Sequence, residues 1–388
     1  MSDVKVLVTG ASIAGPALAH WLRRRGAEVT VVEQAPGLRA GGQAVDARGV
    51  AKEVIRRMGL DATVRASCTN TAGAHVVDAD GAVLETFSAE ADDGDGYISE
   101  IEILRGDLSE LLYDDTREKV EYVFGDRIAE LTQDADGVDV VFAGGDRRRY
   151  DLVVGADGLH SPLRSMVFGP REQFIRHLGL VLAFYTVPNE FGLDRWALDY
   201  HEAGRSAGLR PVPDATRAIA MLSFPAPDFD IDHRDIEAQK RLLREHMGDV
   251  GWLTPRILAH LDDTPDFYLD QVAQVVMDQW HSGRVGLLGD AAFSASPMSG
   301  AGTGLALVGA YFLAGELAAA GWDPEVGFAG YQARMRDYVD ANQEIGRMHV
   351  EMLTAPDAGP SPEPDMEALG PLIERAVVGP ELPAYEPA

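Results

Sequence analysis

The chain has 388 residues and a mass of 41.8 kDa, which favours two domains over one. Its 46% hydrophobic and 25% charged residues are typical of a globular protein and exclude a disordered tail, a collagen-like fibre and a coiled coil. The net charge of −28 predicts a surface that repels nucleic acid and anionic lipid. The single cysteine, Cys68, excludes an intramolecular disulfide and a cysteine-based metal site, so we expect a cytoplasmic protein.

The N-terminal segment predicts a strand, a glycine-rich turn, a helix and a second strand. The strand VKVLVT covers residues 4–9, and the turn GASIAG runs from Gly10 to Gly15. An amphipathic helix follows and ends at Gly26, and the strand AEVTVVEQ then reaches Glu33. A unit of this size and order is typical of half a dinucleotide-binding domain.

This glycine-rich turn indicates a phosphate site, although any βαβ start remains the alternative. Gly10 permits the tight turn, Gly15 lets the helix pack closely, and the helix N-terminus offers free N–H groups to a pyrophosphate. Ser12 replaces the usual middle glycine. Glu33 is placed to accept hydrogen bonds from a ribose diol and disfavours a 2′-phosphate, which indicates FAD or NAD rather than NADP.

The remaining chain alternates between helical and strand-like patterns. We predict a helix at 50–58, a hairpin at 72–87, a helix at 100–119 and strands over 120–155. A sheet-based module over 173–280 includes one acidic helix at 235–247. The apolar run 301–321 contains Glu316 and many small residues, so a buried helix is favoured over a membrane span. Further helices are predicted at 304–317, 328–353 and 366–377, and the DADG segments at 78–81 and 134–137 predict β-turns rather than calcium loops.

Two more motifs follow predicted buried strands. GADGLHSPLR spans Gly155–Arg164, and GDAA spans Gly289–Ala292 and leads into Pro297–Gly304. Together with GASIAG and Glu33, and in this order, they make the chain resemble the single-component (group A) flavoprotein monooxygenases, relatives of para-hydroxybenzoate hydroxylase and of the tetracycline-inactivating monooxygenases. The resemblance extends to about residue 353. It indicates FAD rather than NAD as the bound dinucleotide.

The resemblance implies an α/β fold with two interleaved domains. A Rossmann-like (GR2-type) FAD-binding domain would comprise residues 1–70, 100–172 and 281–327. A β-sheet substrate domain would comprise residues 71–99 and 173–280. A long C-terminal helix and an acidic, proline-rich tail would occupy residues 328–388.

The resemblance also implies the positions of the FAD contacts. Asp290 would bind the ribityl hydroxyls, and the helix start after Gly300 would face the pyrimidine edge of the isoalloxazine and stabilise the anionic reduced flavin. Asp157 and Arg164 would handle FAD and NADPH, with an internal Arg–Asp ion pair as the alternative. The expected FAD-binding residues are Gly10, Ser12, Ile13, Ala14, Gly15, Glu33, Gln34, Arg39, Gly42, Gln43, Arg48, Arg105, Asp157, Gly158, Arg164, Gly289, Asp290, Pro297, Gly300, Ala301, Gly302 and Thr303.

Two segments depart from the family pattern. Phe293–Pro297 stands where many relatives have His-x-x-Pro-Pro, and Gly300–Gly302 stands where many have Gly-Gln-Gly. Both keep small residues at the helix start and remove polar side chains near the flavin.

The chemistry that the resemblance implies is carried by non-covalently bound FAD, so no protein nucleophile and no metal site are expected. NADPH or NADH would reduce FAD, O₂ would give a flavin hydroperoxide, and one oxygen atom would pass to an aromatic, fairly large and weakly charged substrate. The substrate would lie between flavin and sheet, and for each candidate pocket residue ordinary sheet core is the alternative. These candidates are Phe184, Trp196, Tyr200, Met221, Phe224, Phe293 and Met298.

Other functions compete with this interpretation. A flavin-dependent reductase or dehydrogenase on the same fold remains open. A halogenase is disfavoured because the chain has no W-x-W-x-I-P segment. A non-enzymatic NAD sensor is disfavoured by the three FAD motifs. We expect a monomer or homodimer that acts without nucleic acid or a membrane.

Overall fold

The glycine-rich turn lies between β1 (Lys5–Thr9) and α1 (Ala14–Arg24), and β2 (Glu28–Glu33) completes the unit, which confirms the predicted strand–turn–helix–strand order. β1 and β2 are parallel neighbours. The computed structural model describes residues 4–39, 41–90, 94–96, 98–226, 235–264, 266–354 and 366–385.

A six-stranded sheet continues from this unit. Its strand order is β17-β18-β11-β1-β2-β7, and every pair is parallel except β17 with β18. The added strands are β7 (Glu121–Phe124), β11 (Leu152–Gly155), β17 (His281–Ser282) and β18 (Val285–Leu287). Since the carboxyl ends of parallel strands meet at one edge, the loops after β1, β2, β11 and β18 lie together.

A seven-stranded sheet forms the second layer, as the strand-like runs of 173–280 predict. Its order is β16-β12-β15-β14-β13-β4-β5, which joins the hairpin near residue 80 to the later strands. The strands are β4 (Gly73–Val77), β5 (Val83–Ser88), β12 (Ile175–Pro188), β13 (Trp196–Glu202), β14 (Arg205–Pro211), β15 (Arg217–Pro225) and β16 (Tyr268–Val275).

One face of this sheet packs on α6 (Ile236–Met247) and α7 (Thr254–Ala259). Tyr185 and Phe224 belong to that face together with Leu243 of α6. Successive side chains of a strand point to opposite faces. Leu182, Phe184, Ile219 and Met221 therefore form a separate apolar cluster on the other face.

Two small sheets complete the strand set. β8 (Ile128–Gln133), β9 (Val138–Phe142) and β10 (Arg147–Tyr150) form a meander. β3 (Ala44–Asp46) pairs antiparallel with β6 (Glu102–Leu104), which sets Asp46 opposite Glu102. The helix predicted at 100–119 thus begins later, at α4 (Arg105–Thr116), because residues 102–104 pair as a strand.

The remaining predicted helices are present, and several short helices that the sequence analysis did not predict accompany them. α2 (Val50–Met58) and α11 (Met366–Val377) have the predicted bounds, and the other helices are α3 (Asp61–Ala66), α5 (Pro162–Val167), α8 (Asp290–Phe293), α9 (Gly302–Ala319) and α10 (Pro324–Thr354). Among the described residues, α9 is the one helix long and apolar enough to cross a membrane. Its most apolar window is 78% buried, as in the core helix that the sequence predicts.

The segment after α11 is held against α2 and α9. Arg57 donates hydrogen bonds to the carbonyl oxygens of Leu382 and Pro383. The Tyr385 ring covers Gly315, where a Cβ would lie 2.2 Å from it, and its hydroxyl donates to Glu316 at 2.6 Å. These contacts, which we call the Tyr385 clamp, hold the segment against the C-terminal half of α9.

We expect Tyr385→Ala to destabilise the protein by about 1–3 kcal/mol, because a half-buried aromatic ring is removed from Gly315. Tyr385→Phe keeps the ring and loses one hydrogen bond, so it should cost about 1 kcal/mol. Denaturant melts with limited proteolysis of the C-terminal segment measure both effects. Equal stability of the Ala variant and the native protein would contradict the clamp.

Candidate active site

A cavity of about 2280 Å³ lies between the six-stranded and the seven-stranded sheets. Loops after β1, β2, β11 and β18 line one part, and the apolar sheet face with Phe184 and Met221 lines another. Met348 of α10 and Ile373 of α11 close a further side. A drug-sized ligand occupies roughly 300–1,000 Å³, so this cavity has room for a dinucleotide and a second molecule.

The part of the cavity beside the glycine-rich turn is built for an anion. Arg105 donates to the Ser12 hydroxyl at 3.1 Å and reaches the backbone oxygen of Arg39 at 3.4 Å. Burial lowers the pKa of Arg105, and the nearby Arg39 lowers it further. Neither arginine forms an ion pair with a residue that the structure describes. Two adjacent cations at a helix N-terminus suit a pyrophosphate.

Glu33 lies at the end of β2, where the sequence predicts a ribose ligand. One carboxylate oxygen accepts from the backbone N–H of Ala11 at 2.9 Å, and the other accepts from Ala35 at 2.8 Å. The side chain therefore also fixes the glycine-rich turn. Each carboxylate oxygen has a further lone pair to offer to a hydroxyl.

The two charged residues of the DG motif, Asp157 and Arg164, have different surroundings. The Asp157 carboxylate lines the cavity and accepts from the Ser161 hydroxyl and from the backbone N–H of Leu163. Burial raises its pKa, and those hydrogen bonds oppose the rise.

Arg164 is fully buried outside the cavity, which corrects the expectation that it contacts cofactor. It donates to the carbonyl oxygens of Leu159 and Ala291, at 2.6 and 2.9 Å. Arg164 therefore joins the loop after β11 to α8, close to the internal role that the sequence left open.

Asp290 is the first residue of α8, and Gly289 rather than Asp290 occupies the N-cap position. Its carboxylate is accessible from the cavity although it lies deep in the protein. Burial raises its pKa, and a hydrogen bond with Ser294 opposes the rise. No described cation forms an ion pair with it. A carboxylate in this position accepts strongly from hydroxyl groups of a bound ligand.

Most of the predicted FAD-binding residues line the cavity. Those that do are Gly10, Ser12, Ile13, Ala14, Glu33, Gln34, Arg39, Gln43, Arg48, Arg105, Asp157, Gly158, Asp290, Pro297, Gly300, Ala301, Gly302 and Thr303. Besides Arg164, three glycines lie behind this lining. A Cβ at Gly15 would lie 1.9 Å from the Gly10 oxygen, and one at Gly42 would lie 2.9 Å from Arg105 Nε. Gly289 has a φ of +64° and is the N-cap residue of α8.

Whether a predicted substrate residue on a strand faces the cavity depends on its place in the alternation of side chains along that strand. Phe184, Met221 and Met298 line the cavity, whereas Tyr200 and Phe224 point to the α6–α7 side of the sheet. Met221 and Phe224 are three positions apart on β15, an odd interval, so their side chains point to opposite faces of the sheet.

Two further predicted pocket residues lie outside the cavity. Trp196 stacks on His75 with ring centroids 4.3 Å apart. Phe293 packs on Trp280 at 4.6 Å within the core. The expectation that they and the two rings on the α6–α7 side contact substrate is therefore corrected.

The structure also adds polar residues to the sheet side of the cavity. Asp46, Glu102, His201 and Arg210 line it, and Arg210 pairs with Asp199 at 2.9 Å. Burial lowers the pKa of His201 and so favours its neutral imidazole, while the nearby Asp199 opposes this shift. No sequence pattern groups these residues, because pairing of β3 with β6 and of β13 with β14 brings them together.

The residues present fit FAD. The anion site at Arg105, the hydroxyl acceptors Glu33 and Asp290, and the start of α9 at Gly302 line one continuous cavity. The first-turn amides of α9 have no partner within the helix and present a partial positive charge. FAD needs these features in this combination: cations for its pyrophosphate, acceptors for its hydroxyls and a donor edge for its isoalloxazine.

Comparison with known proteins agrees with this fit. The FAD-binding domain family matches residues 3–343. A flavin-dependent monooxygenase of Legionella longbeachae is 40% identical over 349 residues, which cover 89% of this chain and 88% of that protein. The chain belongs to the flavin-dependent monooxygenase family. An uncharacterised protein of Mycobacterium tuberculosis is 45% identical, over 94% of this chain and 97% of that protein.

Solved structures place this monooxygenase beside two tetracycline destructases. Tet(51) is 35% identical with a TM-score of 0.86 and full coverage of both chains. Tet(55) is 36% identical with a TM-score of 0.88, over 99% of this chain and 100% of that one. HpxO of Klebsiella pneumoniae, solved with FAD and uric acid, is 22% identical with a TM-score of 0.75 over 96% and 92%, and shares the fold.

We expect Asp290→Asn to weaken FAD binding by about 1.5–3 kcal/mol, roughly 10- to 100-fold in Kd, because a charged acceptor is lost. The FAD-free variant should melt at or above the native temperature, since burial already destabilises the charged form of Asp290. FAD titrations and melting curves of the FAD-free proteins test the pair of outcomes. An unchanged Kd removes Asp290 from the cofactor site.

We expect Glu33→Ala to weaken FAD binding by about 1–3 kcal/mol, the cost of losing a charged acceptor. Because Glu33 also holds the Ala11 amide, melting of the FAD-free protein should fall too, unlike that of the Asp290 variant. Glu33→Gln, which keeps one acceptor oxygen, should lie between. Native FAD affinity in the Ala variant would show that Glu33 does not bind the ribose.

Proposed function

We propose that this FAD-dependent monooxygenase takes electrons from NADPH or NADH and inserts one oxygen atom of O₂ into a polycyclic aromatic or polyketide-like molecule of the tetracycline type. The observation that carries the proposal is the continuity of the cavity. Its FAD-binding part opens directly onto the sheet face at Phe184 and Met221. The family relationship and the two destructase structures support the same substrate class.

In this proposal the protein residues bind FAD and the substrate, orient them and enclose them. FAD, when bound, supplies the redox chemistry that no amino-acid side chain provides. The first turn of α9 would offer N–H groups to the isoalloxazine, and Asp290 would accept hydrogen bonds from the ribityl hydroxyls. Phe184, Ile219 and Met221 form an apolar face of the sheet, the apolar floor, on which a fused-ring substrate would lie.

Water must be excluded while the substrate is oxidised, and the C-terminal helices are placed to do this. Met348 and Met352 of α10 and Leu369 and Ile373 of α11 belong to the lining of the cavity. Apolar side chains there keep solvent from the reacting atoms once the substrate fills the space between them and the sheet.

The cellular setting belongs to the same proposal. We place the enzyme in the cytoplasm as a monomer or homodimer, without a nucleic acid or membrane partner. The net charge of −28 disfavours anionic polymers and surfaces, and the buried Cys68 requires no oxidising compartment.

The test is oxidation of NADPH and of NADH by the purified yellow protein, with and without tetracycline. We expect tetracycline to stimulate O₂-dependent oxidation of one nucleotide, with a product heavier by one oxygen atom. Acid precipitation should release FAD into the supernatant, since the cofactor is bound non-covalently. Nucleotide oxidation that reduces the substrate and adds no oxygen would instead identify the reductase alternative.

A further inference from the structure

Methionine thioethers are the groups of the cavity lining that a peroxide oxidises most readily. The sulfur gives an electron pair to a peroxide oxygen and becomes a sulfoxide. Among the residues that the structure describes, five methionines line the cavity: Met166, Met221, Met298, Met348 and Met352. A protein that lets reduced FAD react with O₂ in this space therefore exposes its own side chains to a two-electron oxidant.

The five methionines differ in how far solvent reaches them. Met166 of α5 and Met352 of α10 are exposed, with 46% and 49% of their surface accessible. Met221, Met298 and Met348 are half-buried. A peroxide that arrives from bulk solvent should oxidise the exposed pair first, because oxidation follows exposure. A peroxide that forms inside the cavity meets the half-buried sulfurs first, so the two sources leave different products.

Met298 lies where the FAD-binding part of the cavity meets the apolar floor. It belongs to the turn Pro297–Ser299, which precedes α9, and all residues from 296 to 304 line the cavity. Its side chain packs against the apolar cluster that contains Phe184 and Met221. The Met298 thioether thus adjoins both the helix start that would face the isoalloxazine and the surface on which the substrate would lie.

Hydrogen bonds hold this turn in place. His349 of α10 donates from Nδ1 to the Met298 carbonyl oxygen at 2.7 Å. The Ser299 hydroxyl donates to the Ser296 carbonyl oxygen at 2.9 Å. Because the backbone on both sides of the side chain is fixed, Met298 keeps its position between the two parts of the cavity before any ligand enters.

We propose that Met298 is a self-oxidation site, which takes up one oxygen atom when reduced FAD meets O₂ in a cavity that holds no substrate. Reduced FAD passes two electrons and two protons to O₂, which becomes hydrogen peroxide. The peroxide O–O bond then breaks. One oxygen binds the Met298 sulfur, which loses two electrons and becomes a sulfoxide, and the other oxygen leaves as water. The inference rests on the proposed function, because it needs reduced FAD that reacts with O₂ at this site.

Substrate would suppress this oxidation, because Met298 packs against the apolar floor that the substrate covers. The sulfoxide then accumulates only in protein molecules that consume O₂ without substrate. A sulfoxide is polar, and a polar group against an apolar cluster is costly unless it is hydrogen-bonded. The oxidised side chain therefore weakens the binding of apolar ligands until methionine sulfoxide reductase restores the thioether.

The test passes reduced FAD through O₂ without NADPH and without tetracycline. FAD-loaded protein is reduced in the dark under argon with stoichiometric dithionite and reoxidised with air, over several cycles. Catalase is present throughout and destroys peroxide that escapes into solution. We expect peptide mass mapping to find Met298 sulfoxide roughly 10-fold above the sulfoxides of Met166 and Met352, because peroxide formed in the cavity is locally concentrated.

Hydrogen peroxide added to the bulk solution gives the comparison. The protein keeps its FAD oxidised in this sample, and catalase is left out. We expect the order of oxidation to reverse, with Met166 and Met352 ahead of Met298, because the first two are the exposed thioethers.

Two variants locate the reaction. Met298→Leu keeps an apolar side chain of similar size and removes the thioether, so the peroxide released in the first cycle, measured without catalase, should exceed the native yield. Met221→Leu is the matched control, because it removes a half-buried cavity thioether from the floor and leaves the turn unchanged. Its Met298 should be oxidised as in the native protein. Melting temperature and FAD content verify that both variants are folded.

Several outcomes would overturn the inference. Exposed methionines that lead in the cycled protein, or no Met298 sulfoxide in the presence of catalase, show that peroxide leaves the cavity before it reacts. Equal peroxide release by native protein and Met298→Leu shows that Met298 consumes none. Loss of Met298 oxidation in Met221→Leu places the first oxygen uptake at Met221. Because dithionite supplies the electrons, the test can succeed where tetracycline turnover fails, which distinguishes this inference from the proposed function.

Discussion

The contact between the glycine-rich turn and the loop after β11 is the constraint on which the site depends. A Cβ at Gly10 would lie 2.4 Å from the carbonyl oxygen of Ala156, and the Gly10 amide donates to Val32 at 2.8 Å. Only a residue without a side chain can close this gap. Arg164 then carries the constraint from the Leu159 carbonyl to that of Ala291. Three loops far apart in the chain thus meet at one sheet edge.

This convergence decides where charge is placed in the cavity. Cations lie beside the turn at Arg39 and Arg105, whereas acceptors lie at Glu33 and Asp290. A dinucleotide has the complementary order of groups, with anionic phosphates between two sets of hydroxyls. The order of these charges along one groove matches the order of groups in FAD.

The C-terminal helices α10 and α11 close a part of the cavity that the two sheets leave open. Without α10 and α11 the cavity would be open above the apolar floor, since both helices contribute its lining. The Tyr385 clamp and a hydrogen bond from Asn342 to the Ala376 carbonyl hold α11 in place. Enclosure on this side thus depends on residues at the end of the chain, far in sequence from the cofactor motifs.

The sequence by itself determined the local features of this protein. Glycine spacing and helix periodicity predicted the βαβ unit with Glu33 at its end and the helix at 366–377, because each depends on neighbours within a few residues. The place of Asp290 was implied by the family resemblance. Only the tertiary structure decided which face of a strand meets the cavity. Phe224 lies on the α6–α7 side and Met221 on the cavity side, because the two residues are an odd number of positions apart on β15. It alone also brought Asp46, Glu102 and Arg210 to one cavity, since β3 pairs with β6 from a distant part of the chain and Arg210 lies on a strand of the other sheet.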